Sequence, residues 1–232
     1  LKRVPIEIGN AGDIICIAGI PEITIGDTAS ETPEMPAIPF VKISEPSVEM
    51  TFMVNDSPFA GKEGKFVTSR HIRDRLCKEA MKDLSLKVRD GDTAESFKVS
   101  GRGEMHLSIL IENMRRDGYE FQVSRPRVLY REIDGVRCEP IDKVILDVPE
   151  DSVGNIMTAM GNRKGELVSM HPIGSRMRLE FLIPSRGLFG YKSQMLTDTR
   201  GEGIMSSVFH EYQPYKGDIS SRTFGSLIAY ET

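Results

Sequence analysis

The order strand, helix, strand, strand, helix, strand is predicted twice in succession along this chain. The first copy covers roughly residues 48–124 and the second about residues 141–213. Each copy has the element order of a split βαβ unit of ferredoxin-like type. Strands that alternate with helices can also form one parallel sheet, but short turns join the two inner strands of each copy and favour antiparallel pairing. The chain is therefore predicted to be of α+β class, with two ferredoxin-like (βαββαβ) domains.

Hydrophobic periodicity supports this order in the first copy. Apolar residues alternate over residues 48–54, which is the period of a half-buried strand. An apolar stripe over residues 72–80 predicts a helix that begins near Thr68. A second stripe over residues 107–114 predicts another helix, which ends at Gly118.

The second copy repeats the pattern with different residues. Its predicted elements are, in order, a strand over 144–148, a helix over 153–160, strands over 167–171 and 177–183, a helix over 188–196 and a last strand over 204–212. The turn at residues 162–165 separates the first helix from the strand that follows it.

The remainder of the chain has another character. Residues 1–46 are rich in Gly, Pro, Ile and Thr, with short apolar runs between turn signals and no helical stripe. We predict a partial β-barrel and linker over residues 1–46, ferredoxin-like domains over 47–126 and 127–215, and the start of a further domain over 216–232. The abrupt start without an initiator Met, and the apolar segment that starts at residue 225, lead us to expect a fragment of a larger protein.

Composition limits the classes of function. A hydrophobic fraction of 39% supports compact cores, and no apolar run is long enough to cross a membrane. Cys16, Cys77 and Cys138 are odd in number and far apart, which argues against a disulfide framework and against a zinc site. We expect a reducing, cytoplasmic setting. The formal charge of −4 does not favour indiscriminate binding to nucleic acid.

The catalytic motifs that we searched for are missing from the sequence. Residues 61–66 have the wrong spacing for a P-loop and lack its hydroxyl, so we interpret them as a flexible basic loop. There is no Gly-x-Ser-x-Gly elbow and no His-Glu-x-x-His motif, and the four histidines are scattered singly. We therefore predict no catalytic, cofactor-binding or metal-binding residue in this chain.

Residues 100–106 form a more informative segment, which leads from a strand into a helix. Gly101 and Gly103 permit a tight turn there, and a helix N-terminus presents free N–H groups to an anion. Glu104 would compete with such an anion. From these residues alone a plain strand-to-helix turn is the default.

A family resemblance changes that interpretation. Residues 99–107 closely resemble the Ser-Gly-x-Gly-Glu-x-His-Leu segment in domain III of elongation factor G-like translational GTPases. Residues 12–28 resemble the closing strands of domain II of that superfamily, and residues 184–191 resemble the start of the second helix of domain V. Three segments, at residues 55–61, 161–166 and 197–203, are similar to the BipA/TypA class in particular. As in that class, no domain IV is inserted between the two ferredoxin-like copies.

The resemblance implies a ribosome-associated GTPase whose nucleotide domain lies upstream of Leu1. GTP and Mg²⁺ would bind to that domain, so this chain would have no GTPase activity of its own. The expected partners are the ribosome, ribosomal RNA and the upstream GTPase domain, with no membrane and with the chain as a monomer. The expected role is ribosome docking and signal relay in translation regulation, ribosome assembly or stress response.

Basic residues on turns and helix ends are the candidates for RNA contact, because they can reach phosphates. In the second copy they are Arg163, Lys164, Arg186, Lys192 and Arg200. A basic strip in the first copy comprises Lys62, Lys65, Arg70, Arg73, Arg75 and Lys78. The residues expected to face the GTPase domain, or the RNA beside it, are Gly101, Arg102, Gly103 and His106. For any one of the basic residues, a solvated surface is the simpler explanation.

Two other classes of protein share this fold. A stand-alone RNA-binding protein with tandem ferredoxin-like domains would need aromatic residues on its central strands for base stacking. Phe97 is the only aromatic residue on the third strand of the first copy. A small-molecule enzyme or regulatory domain would need a pocket with convergent polar groups, which the fold alone does not exclude.

Overall fold

The computed structural model describes residues 4–20, 23–32, 34–40 and 45–219. The first domain contains β1 (Val48–Met53), α1 (Ser69–Ala80), β2 (Lys87–Asp90), β3 (Ser96–Gly101), α2 (Glu104–Arg116), β4 (Gln122–Val123) and β5 (Arg127–Val128). The second domain contains β6 (Arg131–Ile133), β7 (Val136–Pro149), α3 (Val153–Asn162), β8 (Glu166–Ile173), β9 (Arg176–Pro184), α4 (Tyr191–Asp198) and β10 (Ile204–Pro214). Short 3₁₀ turns at Glu150–Ser152 and Ser185–Leu188 precede α3 and α4.

Both sheets have the ferredoxin-like strand order. In the first sheet the order is β2-β3-β1-β4, and in the second it is β10-β7-β9-β8. Numbered within each copy, both orders are 4-1-3-2, and all of these strand pairs are antiparallel. The prediction of two separate ferredoxin-like domains is confirmed, and no continuous parallel sheet joins the described strands.

The helices cover one face of each sheet, because alternate strand residues and the helical stripes form one core per domain. The first core contains Phe52 and Val99 from the sheet, with Leu76 of α1 and Leu107 of α2. The second contains Val144, Leu146 and Phe181 from the sheet, with Ile156 of α3 and Met195 of α4. The apolar stripes predicted from the sequence are therefore the buried faces of these helices.

Three of the helices end in the same backbone motif. An N–H group bonds to the carbonyl five residues earlier, from Tyr119 to Met114, from Gly165 to Met160 and from Gly201 to Leu196. The residue before each of these donors is left-handed, with φ of +85° at Gly118, +65° at Lys164 and +52° at Arg200. This is the Schellman arrangement, in which the left-handed position is usually glycine. Of these three helices, only α2 follows that preference.

Residues 1–46 differ from the prediction. The described part of this segment contains turns, such as the bond from Asp13 N to Asn10 O at 3.0 Å, and it contains no strand. Its apolar side chains, including Ile14 and Ile38, are exposed. A strand needs a neighbour to complete its hydrogen bonds, and this segment finds none among the described residues. The described residues of this segment therefore show no part of the predicted β-barrel.

The boundary between the two domains also differs from the prediction. Arg127 and Val128, assigned from the sequence to the second domain, form β5 and pair with β1 of the first sheet. Only residues 129 and 130 then separate β5 from β6. At the other end, residues 216–219 contact the second domain, and Lys216 N donates to Glu139 Oε1 at 2.8 Å. Residues 220–232, where we expected a further domain, lie outside the described residues.

Phe189 connects the two domains. It follows the 3₁₀ turn of the second domain, yet its half-buried ring packs against the core of the first. This contact places the N-terminal end of α4 beside the N-terminal end of α2.

Candidate nucleic-acid interface

The five predicted RNA-contacting residues of the second domain fall into two groups. Arg163 and Arg186 are partly buried and bond to other parts of the same domain. Lys164, Lys192 and Arg200 are exposed and form no ion pair with any residue that the structure describes. The sequence does not separate these groups, because all five are basic residues on turns or helix ends.

Arg186 is part of a buried ion pair. Its Nε donates to Oε2 of Glu139 at 2.5 Å, its Nη2 donates to Gly217 O at 2.5 Å, and the guanidinium lies 4.6 Å from the Tyr215 ring centroid. Glu139 is completely buried. Burial alone would lower the pKa of Arg186, but the hydrogen bond and charge of Glu139 raise it, so the guanidinium stays charged. Arg186 thus joins β7, the 3₁₀ turn and residues 215–217.

Arg163 has a similar internal role at the end of α3. Its Nη1 donates to Gly187 O at 2.6 Å and its Nη2 donates to Gln194 Oε1 at 2.9 Å. The guanidinium lies 5.0 Å from the ring centroid of Tyr191. Burial lowers its pKa. Arg163 therefore holds α3 against the start of α4, and its donors are directed into the protein.

The three exposed basic residues occupy positions where a long basic side chain does not stabilise the helix. Lys164 and Arg200 take the left-handed position after α3 and α4, where a residue with a Cβ atom is strained and glycine is preferred. Lys192 lies in the first turn of α4, where its charge opposes the helix dipole. Local stability therefore does not account for a long basic side chain at Lys164, Arg200 or Lys192.

Residues 101–106 form a well-connected turn at the start of α2. Gly101 O accepts from Ser47 N at 3.1 Å, and Arg102 N donates to Nδ1 of His106 at 3.3 Å. His106 Nε2 lies 3.0 Å from Oδ2 of Asp83. The pKa of Asp83 is lowered: burial opposes this, but the hydrogen bonds from Ser85, together with the charge of Arg102, prevail. Both ring nitrogens of His106 thus face protein groups, whereas Arg102 is exposed.

The structure brings this turn close to part of the basic set. A cleft of about 490 Å³ between the domains is lined by Arg102, Gly103 and His106 from the first domain and by Lys192 and Phe189 from the second. Arg163 and Arg186 line a separate cavity of about 860 Å³. Lys164 and Arg200 line neither. The predicted site residues therefore do not form one pocket, and the exposed basic ones lie on both domains.

The comparisons with known proteins bear on the whole chain. A model of the elongation factor G C-terminus matches residues 136–223. Over its full length the chain is 51% identical to "Large ribosomal subunit assembly factor BipA" of Synechocystis sp. and 49% identical to the protein of that name in Bacillus subtilis. It is also 49% identical, over 99% of its length, to the Escherichia coli K12 protein of that name. The chain belongs to the BipA family.

The match covers only part of each relative. This BipA-family chain spans 38–39% of the length of these relatives. A crystal structure of a protein from Thermus thermophilus aligns with 81% of the chain and 44% of its own length, at a TM-score of 0.48 and 14% identity.

The open faces of the two sheets distinguish this BipA-family chain from a stand-alone RNA-binding protein that stacks bases on its sheet. The central strands are β1 and β3 in the first sheet and β7 and β9 in the second. Their aromatic residues are Phe52, Phe97 and Phe181, and all three are buried in the cores on the helix side. The open faces of these four strands therefore offer no ring on which a base could stack.

The loop at residues 61–66 is ordered, which corrects its interpretation as a flexible loop. The Glu120 carboxylate accepts from the backbone N–H groups of Gly61 at 2.7 Å, Glu63 at 3.0 Å and Gly64 at 3.0 Å, and from Asn55 Nδ2 at 2.8 Å. These bonds, led by the one from Gly61, lower the pKa of Glu120 to about 2. A Cβ atom on Gly64 would lie 2.6 Å from Cβ of Glu120, so this close contact needs glycine. The loop's N–H groups do surround an anion, and that anion is the protein's own carboxylate.

Two features are absent from the described residues. No group of three or more His, Cys, Asp or Glu side chains in the described ranges could hold a metal ion. Within the same ranges, none of the helices has both the length and the apolar character needed to cross a membrane.

Proposed function

We propose that this chain docks a BipA-family protein on the large ribosomal subunit through the ribosomal RNA. The observation that carries the proposal is the exposed basic set Lys164, Lys192 and Arg200, which has no ion-pair partner among the described residues. The relatives' name, large ribosomal subunit assembly factor, supplies the partner. Basic side chains on turns suit RNA phosphates, which attract charge without requiring a pocket.

The remaining predicted residues take supporting roles in this proposal. Arg163 and Arg186 are positioning residues that hold the turns from which Lys164 and Lys192 extend. The turn at residues 101–106 faces the GTPase domain or the RNA beside it, and its exposed Arg102 shares the cleft with Lys192.

The proposal also concerns the part of the protein that lies outside this chain. GTP hydrolysis, with GTP and Mg²⁺, is assigned to a part of the protein outside this chain, which spans 38–39% of the length of its relatives. In this scheme the chain acts as a docking and relay module, as a monomer in the cytoplasm, in large-subunit assembly with effects on translation and the stress response.

A charge-reversal experiment tests the docking surface. The triple variant Lys164→Glu, Lys192→Glu, Arg200→Glu should lose retention on purified large ribosomal subunits in sedimentation assays. The slope of log affinity against log salt concentration should fall by about three, one for each lost phosphate contact. Arg163 is left unchanged, because its reversal would disturb the contact between α3 and α4.

The matched control is the charge-conserving variant Lys164→Arg, Lys192→Arg, Arg200→Lys. It should sediment with large subunits like the parent. Retention of the reversed variant at the parental level across the salt series would show that these residues are only a solvated surface.

A further inference from the structure

We propose that the loop at residues 55–66 binds an unpaired RNA nucleotide, with the Phe59 ring as its stacking surface. This inference deepens the proposed RNA binding but concerns the other domain and a different mode of contact. It can therefore fail while docking through Lys164, Lys192 and Arg200 stands.

The first observation is the exposure of the Phe59 ring. Phe59 is 68% exposed, the most exposed aromatic side chain in the described residues. A single exposed apolar side chain is ordinary, so exposure alone does not indicate a site. What distinguishes Phe59 is the loop that presents it.

That loop is built around the buried Glu120 carboxylate and held at both ends. At its start, Asn55 Oδ1 accepts from Ser57 N at 3.1 Å, and Ala60 N donates to Ser57 O at 3.0 Å. At its end, Phe66 N donates to Gly118 O at 3.1 Å, and Phe66 forms a bridge with Tyr119. The loop is therefore ordered before any ligand arrives, so binding loses little conformational entropy.

The second observation is the charge around the ring. Lys62 Nζ lies 5.0 Å from the centroid of the Phe59 ring. Lys65 and Arg70 are exposed nearby in sequence, with no ion-pair partner in the part of the chain that the structure describes. The loop also carries the exposed carboxylates of Asp56, which accepts from Gln122 Nε2 at 3.0 Å, and of Glu63. The charge that the geometry places beside the ring is therefore the ammonium group of Lys62.

An exposed aromatic ring on an ordered loop, beside the basic side chain of Lys62, matches the chemistry of single-stranded RNA recognition. A base stacks on the ring, and the Lys62 ammonium neutralises a flanking phosphate. The open faces of the central strands lack such a ring, whereas this loop presents one.

The test measures binding of the 232-residue chain to a labelled, unstructured RNA decamer by fluorescence anisotropy. Phe59→Ala should weaken binding about 5- to 150-fold, the range that one stacked base contributes. Phe59→Trp should retain binding. Lys62→Gln should weaken it and lower the salt slope by about one. Phe59 and Lys62 are exposed, so these variants should keep the parental unfolding temperature.

The matched control is Phe40→Ala, which removes another exposed Phe ring outside the loop. It should bind the decamer like the parent. Equal binding by Phe59→Ala and the parent, or equal weakening by Phe40→Ala, would overturn the proposal. If Phe59→Ala weakens retention on large subunits but leaves decamer binding unchanged, the loop contacts a protein, and the RNA assignment is wrong.

Discussion

Glu120 shows how one side chain can order a loop. The folded state favours its charged form, since its pKa is lowered to about 2 from an ordinary value of 4.5. The stability that the carboxylate contributes is therefore complete above about pH 4.5 and is lost as the pH falls toward 2.

We predict that Glu120→Gln removes the loss of stability at low pH that protonation of Glu120 causes. The parent's unfolding temperature should fall more steeply than the variant's between about pH 4.5 and 2, because the amide does not titrate. Thermal unfolding followed by circular dichroism over that pH range measures the difference. Parallel curves for the two proteins would show that the loop does not depend on the charge.

Arg186 and Lys164 provide a direct comparison of an internal and an exposed basic residue. Arg186→Met should destabilise the chain by about 3–5 kcal/mol, because it leaves Glu139 charged and buried without its partner. Lys164→Met should change stability by less than about 0.5 kcal/mol. Urea unfolding checks both values, and similar stabilities for the two variants would contradict the assigned roles.

At the residue scale, the sequence was sufficient to identify basic residues but not their partners. Arg186 and its partner Glu139 are 47 positions apart and meet only when the 3₁₀ turn packs on β7. Glu120 and Gly61 are 59 positions apart, so the loop around the carboxylate was not predictable from the Gly-Lys pattern. Local sequence spacing carries no information about such distant contacts.

At the element scale, periodicity was a good guide. The apolar stripes of α1 to α4 and the alternating strands predicted both domains, because each element has one face against a core. The same reasoning predicted strands in residues 1–46, and the described part of that segment contains none. A strand-like pattern predicts a strand only where a neighbouring strand is available to pair with it.

The ends of α3 and α4 offer a prediction at this scale. Lys164→Gly and Arg200→Gly should each raise the free energy of unfolding by up to about 1 kcal/mol, because glycine accepts the left-handed conformation without strain. Both should weaken retention on large ribosomal subunits. Chemical denaturation and sedimentation of the same samples measure the two effects.

The control for this pair is Lys192→Gly. It removes a charge from the same surface but lies inside α4, where glycine destabilises a helix by about 1 kcal/mol. A lower free energy of unfolding in Lys164→Gly and Arg200→Gly than in the parent would show that these basic side chains stabilise the fold.

At the scale of the whole molecule, Phe189 couples the two domains. Phe189→Ala should lower the free energy of unfolding by about 1–3 kcal/mol, which is less than the loss for a fully buried ring. The variant should weaken mainly the contact between the two domains. Differential scanning calorimetry should then resolve two unfolding transitions where the parent shows overlapping ones. Phe59→Ala removes an exposed ring and should leave the parental profile unchanged. A single transition shifted as a whole in Phe189→Ala would place the ring in one domain's core only.

The two-residue connection between β5 and β6 limits how far the two domains can move apart. From Val128 to Arg131 the backbone can span about 11 Å at most, at about 3.8 Å for each residue. Leu129 N also donates to Ser47 O at 2.8 Å, which shortens the free length further. The second domain can rotate about this connection but cannot move far from the first. Its effective concentration at the first domain stays in the millimolar range or above, so a cleft opened by a partner closes again as soon as the partner leaves.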